Sequence, residues 1–292
     1  MTRWLVTGAG GMLGTDLVAV LREHGRDVVP LDRARLDLRD SAAVRAAVRD
    51  IRPGVVVNCA AWTAVDDAET REEEARAVNG DAVGVLAREC EAAGARLVQP
   101  STDYVFDGRS REPYAEDAEP TEPVNAYGRT KLAGERMVTE ILPADGYVVR
   151  AAWLYGAAGR NFVRTIIRLA AERETVDVVD DQRGQPTWAA DLARRIVALV
   201  ESGAPAGIYH GTNSGSTTWC GLAREIFTLL GADPDRVRPV TSAEFPRPAA
   251  RPADSVLAHG GWARAGLAPM RHWRDALHAA WPVLTAERAG AR

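Results

Sequence analysis

Apolar residues along this chain follow two rhythms. Short runs such as Trp4-Leu-Val6, Val28-Val29, Val55-Val-Val57, Leu97-Val98 and Tyr147-Val-Val149 read as strands, while between them apolar positions recur every three or four residues, as on one face of a helix. Leu13, Leu17, Val20 and Leu21 share such a face, as do Val44, Val48 and Ile51 behind a Ser41 cap, and Val78, Ala82, Val85 and Leu86 inside one long helix from Glu72 to Ala93. Asn79 interrupts that inner face, and a buried amide there needs a partner, which a neighbouring loop would supply. The unbroken β-branched run at 55–57 is what a central parallel strand, covered on both faces, requires. Asp27–Leu31 reads as the second strand and Leu36-Asp-Leu38 as a short third one. Pro100 removes a strand amide, so the strand that begins at Arg96 should be ending there. Strands and helices in alternation predict an α/β fold with a doubly wound parallel sheet.

Beyond residue 156 the alternation loosens. Helices are expected over Asn161–Arg173, from Pro186-Thr187 through Leu199, over Thr218–Leu230 and over Arg271–Trp281, with strands at Val176–Val179 and Gly207–His210. The division expected is a Rossmann-type domain over 1–156, to which 187–212 returns, and a smaller C-terminal substrate-binding lobe built mainly from 157–292.

The first strand runs into Thr7-Gly-Ala-Gly-Gly-Met-Leu-Gly14 and then a helix, the context that a dinucleotide site requires. Gly8, Gly10 and Gly11, with Met12 and Leu13, would let a pyrophosphate approach the backbone and the free amides of the helix N-terminus. That makes residues 1–156 the NAD(P)-binding part. About 20 residues further on, Asp32 suits the ribose hydroxyls of NAD, whereas Arg33 or Arg35 suits the extra phosphate of NADP, and all three also suit plain solvated surface. Asp37, followed by Leu38, is placed to contact the adenine edge. Small residues at Cys59, Ala60 and Ala61, with Thr63 beyond them, leave room for a flat ligand at the carboxyl end of a central strand.

Tyr127-Gly-Arg-Thr-Lys131 sets a phenol and an ammonium on one helix face. A nearby positive charge should draw the phenol below its usual ~10 and suit it to donate a proton. The hydroxyls of Ser101 and Thr102 arrive at the same sheet edge, where Thr102 would hydrogen-bond a substrate carbonyl. Arg251, in the proline-rich stretch Arg247-Pro-Ala-Ala-Arg-Pro252, is either held ready for a diphosphate or part of a solvated loop.

Composition narrows the field. A net charge of −4 over 292 residues gives no basic field for nucleic acid. Three cysteines without metal-ligand spacing point to a reduced, cytoplasmic protein, and no long apolar stretch suggests a signal peptide or a membrane span.

These motifs resemble the extended short-chain dehydrogenase/reductase family. Thr7–Gly14 matches its glycine fingerprint, and Thr102, Tyr127 and Lys131 match its catalytic trio. Ser101-Thr-Asp-Tyr-Val-Phe106, Trp62-Thr-Ala-Val-Asp66, Asp181-Gln-Arg-Gly-Gln-Pro-Thr187 and Arg251-Pro-Ala-Asp-Ser255 resemble blocks of its rhamnose-pathway branch, in the right order. The resemblance implies an enzyme that uses NADPH or NADH, NADPH slightly favoured, to reduce the C4 ketone of a dTDP-linked 6-deoxy sugar. It implies a small-molecule substrate held by Thr102, Asp103, Tyr104, Trp153, Asn161, Phe162 and Arg251, with Tyr127 and Lys131 also touching the cofactor. Pro100 and Ala152 stand where that branch often carries other residues, and Arg160 is a bulky charge beside Asn161, so product stereochemistry stays open. Alternatives are a 4-ketoreductase making another epimer, a non-catalytic subunit that keeps the nucleotide site, and epimerase or dehydratase chemistry using Asp103. Some relatives hold magnesium on acidic residues at a homodimer contact. Asp16 and Asp191 alone do not establish one here, and no metal site is assigned.

Overall fold

The computed structural model describes residues 2–120 and 122–286 of the chain, so the last six positions of the expected C-terminal lobe lie outside the described residues. In chain order come β1 (Arg3–Thr7), α1 (Met12–Glu23), β2 (Asp27–Leu31), α2 (Ser41–Ile51), β3 (Val55–Asn58), α3 (Val65–Ala68), α4 (Glu72–Arg76), α5 (Ala82–Ala93), β4 (Arg96–Thr102), α6 (Ala126–Ile141) and β5 (Gly146–Ala151). They are followed by β6 (Leu154–Tyr155), α7 (Phe162–Glu172), β7 (Val176–Val179), β8 (Arg183–Gly184), β9 (Thr187–Trp188), α8 (Ala189–Glu201), β10 (Gly207–His210), β11 (Thr217–Thr218), α9 (Trp219–Leu229), β12 (Val237–Val240), α10 (Gly260–Arg264) and α11 (Trp273–Thr285).

Six strands form one sheet in the order β10-β5-β4-β3-β1-β2, every neighbour parallel. Alternate side chains serve opposite faces. Trp4, Val6, Val55, Val57 and Val149 pack against Leu17 and Leu21 of α1 and Ile196 of α8. Leu5, Val56, Leu97 and Val148 pack against Val44 of α2, Leu86 of α5 and Val138 of α6. A third cluster joins Ile166 of α7, Val178 of β7, Ile226 and Phe227 of α9 and Leu277 of α11 beside the sheet. From β1 the chain goes to β2 on one side and β3 on the other, so the carboxyl ends of β1 and β3 flank the crevice where such sheets hold ligands.

Several elements depart from the sequence reading. Leu36–Leu38 is not a strand: Asp32 captures the amides of Arg35 and Leu36, and Asp37 those of Arg39 and Asp40, in local turns at both ends of the segment. The sixth strand of the sheet is instead β10, from far along the chain. Asp40, not Ser41, caps α2 through the amides of Ala42 and Ala43. Thr187 belongs to β9, paired with β6, and the helix expected at Pro186 starts at Ala189. The long helix over 72–93 is broken by a π-helical turn at Ala77–Asp81. There Asn79 Oδ1 accepts the Trp62 amide at 2.9 Å, and its Nδ2 donates to Trp62 O and to Thr130 Oγ1, both at 3.1 Å. The widened turn thus ties the loop after β3 to α6. Pro100 lies inside β4 rather than at its end. β3 pairs with β4 only as far as Val98, so no partner calls on the missing amide.

Candidate active site

A cleft of about 550 Å³ opens at the carboxyl edge of the sheet. Its floor is set by the glycine turn. Gly8 adopts φ +62°, and a Cβ there would sit 2.4 Å from Ala60 N, so only glycine lets β1 and the loop after β3 come this close. Gly11 begins α1 with no side-chain cap, and Gly11, Met12 and Leu13 line the cleft, leaving the helix's first amides for a ligand. An uncapped N-terminus on a cleft wall fits a dinucleotide's phosphates. Cys59, Ala61 and Thr63 line the same cleft, while Ala60 lies beneath Gly8. Gly10 and Asp32 line an adjoining groove of about 440 Å³ together with Arg22 and Arg35. Of the two arginines the sequence left open, Arg35 reaches this groove; Arg33 is exposed and is not part of its lining. Asp37 is held by Arg39, whose Nε donates to it at 3.0 Å and which lowers its carboxyl to about 2, and Leu38 is buried in the core. The side chain of Leu38 therefore packs inward, contrary to its expected place at the cofactor.

Thr102, Tyr127 and Lys131 meet on the opposite wall. β4 delivers Thr102 as its last residue. α6 is started by Asn125, whose Oδ1 accepts the Gly128 amide at 2.8 Å and whose Nδ2 donates to Ala250 O at 2.9 Å. Glycine is required at 128: a Cβ there would lie 2.1 Å from Tyr104 O, so a side chain would push the helix, and Tyr127 with it, away from β4.

The electrostatics differ from the sequence reading. Lys131 is buried, its Nζ donates to Pro100 O at 2.7 Å, and desolvation brings its pKa down to about 8 although Glu135 and Cys59 pull it upward. Tyr127 is not acidified; burial, then the Asp103 carboxylate, raises it, and only the Thr102 hydroxyl lowers it. The four-residue spacing puts both groups on one face, but Lys131 is not among the groups that lower the phenol, and burial sets the direction of its shift. Burial likewise pushes Cys59 up to about 12, which makes it a small neutral wall residue and not a nucleophile.

Of the residues expected at the substrate, Asp103, Tyr104 and Trp153 line the cleft. Trp153 sits at φ +45° and stacks on Trp219, centroids 3.6 Å apart and planes within 8°. Gly184 makes room for it, since a Cβ there would come within 2.5 Å of the indole. Asn161 caps α7, accepting the Arg164 amide at 3.0 Å and donating to Gly156 O at 2.9 Å. Phe162 packs behind the stack, 4.6 Å from Trp219. Arg251 pairs with Asp66 at 2.9 Å and donates to Ala249 O at 2.7 Å. The structure thus does not bring Asn161, Phe162 or Arg251 into the lining of this cleft, whereas Gly159 and Arg160 do line it. Sequence reasoning missed Trp219. It begins α9, in the cluster beside the sheet, and one aromatic at a helix start carries no signal of what it faces.

The family described as RmlD substrate binding domain matches residues 2–285. The chain belongs to that family. Among relatives, a dTDP-4-dehydrorhamnose reductase of Streptomyces griseus is 59% identical over 292 residues, covering 99% of this chain and 95% of that protein. A dTDP-4-keto-6-deoxy-D-glucose reductase of Streptomyces niveus is 56% identical, covering 98% and 99%. The crystal structure of dTDP-4-dehydrorhamnose reductase from Bacillus anthracis in complex with NADP superposes with a TM-score of 0.92 at 39% identity, covering 96% of this chain and 98% of that one. This member of the RmlD family has, among its described residues, no group of three or more His, Cys, Asp or Glu placed to hold a metal, and Asp191 is engaged by Arg271 Nε at 2.7 Å. No helix among those residues is long and apolar enough to cross a membrane.

Proposed function

We propose that this protein reduces the C4 ketone of a dTDP-linked 4-keto-6-deoxy sugar with NADPH or NADH. The observation that carries this reading is one cleft walled on one side by an uncapped helix N-terminus behind a glycine turn and on the other by Thr102, Tyr127 and Lys131. Residues 1–156, with α8 and β10, act as the cofactor-binding part, and the cluster around α7, α9 and α11 as the substrate lobe. The glycine turn and the first amides of α1 hold the pyrophosphate, and Asp32 and Arg35 face the adenosine ribose. A nicotinamide bound there supplies the hydride. Thr102 orients the ketone and Tyr127 protonates the developing alkoxide. Lys131, charged below about pH 8, stabilises the phenolate that remains. A neutral, high-pKa phenol is well suited here, because it stays protonated until the alkoxide, a stronger base, forms beside it.

The named relatives point to two ketosugars, epimers at C3 and C5. Purified protein mixed with dTDP-4-keto-6-deoxyglucose, with and without a 3,5-epimerase, and with each cofactor, is expected to consume NAD(P)H stoichiometrically. Epimerase-dependent turnover assigns the dehydrorhamnose substrate, and turnover without it assigns the deoxyglucose one. Absence of turnover in both arms would refute the reading.

The stacked indoles form the sugar side of the cleft. Trp219→Ala removes a stack worth about 0.5–1.5 kcal/mol, so KM for the sugar should rise about 2- to 10-fold. Cofactor affinity, measured by NADPH fluorescence, should hold. An unchanged sugar KM would take Trp219 out of the binding surface.

A further inference from the structure

Asp103 has no task in the reduction described above, yet it adjoins the acid that performs it. It is 2% exposed, lines the cleft and directly follows Thr102. Thr102 Oγ1 donates to its Oδ1 at 3.0 Å and accepts the Tyr104 amide at 3.2 Å. Its Oδ2 is buried and receives no hydrogen bond of good geometry, although the Ser255 hydroxyl stands near the carboxylate. Such an oxygen is costly and calls for a reason. The groups facing it are the Tyr104 and Tyr127 rings, both raised in part by its charge, and the Ser255 and Thr102 hydroxyls; Arg251, paired with Asp66, stands beyond Tyr104. Burial pushes the carboxyl up to about 6, the two hydroxyls offsetting part of the rise.

Each turnover of the proposed reductase consumes one proton. Tyr127 gives it to the alkoxide and is left as a phenolate beside the carboxylate. We propose that Asp103 returns this proton to Tyr127 through the Thr102 hydroxyl, serving as the port by which solvent protons enter the site. Two adjacent negative charges make the carboxylate a stronger base than it was before transfer, so it takes up from solvent hydronium or a buffer acid the one proton that each turnover consumes. A half-turn about Cβ–Cγ, which breaks no bond at Oδ2, presents that proton to Thr102 Oγ1. The O–H of Thr102, no longer held by a carboxylate, turns to the phenolate. One proton then leaves Thr102 for Tyr127 as another passes from Asp103 to Thr102, and the carboxylate, the threonine and the phenol are restored. The final transfer runs downhill, from a carboxyl to a phenolate of much higher pKa.

The inference rests on the reductase reading and is tested separately from it. In Asp103→Asn each Tyr127 still begins protonated and is relieved of the charge that raises its pKa, so the first equivalent of NADPH oxidised in stopped flow should be faster than those that follow it. Later turnovers should slow about tenfold, less than the loss of a direct general acid, giving a burst of one equivalent per site. Asp103→Glu, which keeps an acid, should restore later turnovers. A uniform slowing of first and later turnovers, or later turnovers within twofold of the parent, overturns the relay. Should Asp103→Asn lack a thermal unfolding transition, Asp103→Ser, which also lacks an acid, applies the same criterion: a first turnover faster than the later ones supports the relay, and equal rates overturn it. A parent protein that oxidises no NADPH with either ketosugar defeats the reductase reading itself.

Discussion

Tyr127→Phe is expected to lower turnover by about 10² to 10⁴ while leaving NADPH affinity within a few-fold of the parent. The ring is placed by contacts that do not involve its hydroxyl. Asn125 starts α6, Gly128 allows the close approach to Tyr104, and the Tyr104 ring meets Tyr127 edge-on at 6.1 Å. Phenylalanine keeps all of these and removes only the hydroxyl, with its contact to Thr102. Lys131 would retain its bond to Pro100 O, so the lysine and the cleft wall should stay in place. The decisive comparison is between stopped-flow hydride transfer and fluorescence titration of cofactor on the same preparation. A variant that binds NADPH normally and turns over near the parent rate would exclude the phenol as the proton donor. Loss of both binding and turnover would instead show that the hydroxyl organises the wall.

Much of this site was legible because its chemistry is local in sequence. The glycine turn, the Tyr127–Lys131 spacing and the Thr102 hydroxyl each follow from a short motif whose geometry the backbone enforces. Asn79 was also readable as a polar interruption in an apolar stripe that had to find a loop. What was not legible depends on distance and on desolvation. Trp219 approaches Trp153 from 66 residues away, as 219 − 153 shows. The phenol's pKa depends on how much water the fold removes, and spacing says nothing about that. Leu36–Leu38 has the alternation of a strand, but the aspartates at 32 and 37 fold both of its ends into turns by accepting the amides of Arg35, Leu36 and Arg39. Arg251 left two readings open, a waiting cation or a solvated loop, because its partner, Asp66, lies 185 positions earlier, the difference of 251 and 66.

Glu135→Ala should cost about 3–5 kcal/mol of stability. Glu135 and Arg150 form an ion pair between α6 and β5 with side chains only 3% and 1% exposed, joined at 3.0 Å and 2.7 Å from Nε and Nη2. His210 touches Arg150 at 3.4 Å but cannot replace the carboxylate. Burial and the guanidinium bring its pKa down to about 3, so it is neutral, with Nδ1 2.9 Å from Ala258 O. Removing Glu135 leaves a buried guanidinium with no anion, and the thermal midpoint should fall by on the order of 10 °C. Replacing both partners, Glu135→Leu with Arg150→Met, removes the two charges together and should recover most of that loss. Activity gives an independent reading of the same pair. Glu135 lies one helical turn beyond Lys131 and pulls its pKa upward, so the double variant should hold a lysine that loses its proton below the parent's value of about 8. If protonated Lys131 is the active form, the alkaline fall in kcat/KM should then begin at lower pH even where stability is restored. A double variant with recovered stability and an unmoved alkaline limb would confine Glu135 to the fold. A limb moved to lower pH would show that the ion pair beneath the sheet edge also holds the charge of the lysine that serves the ketone.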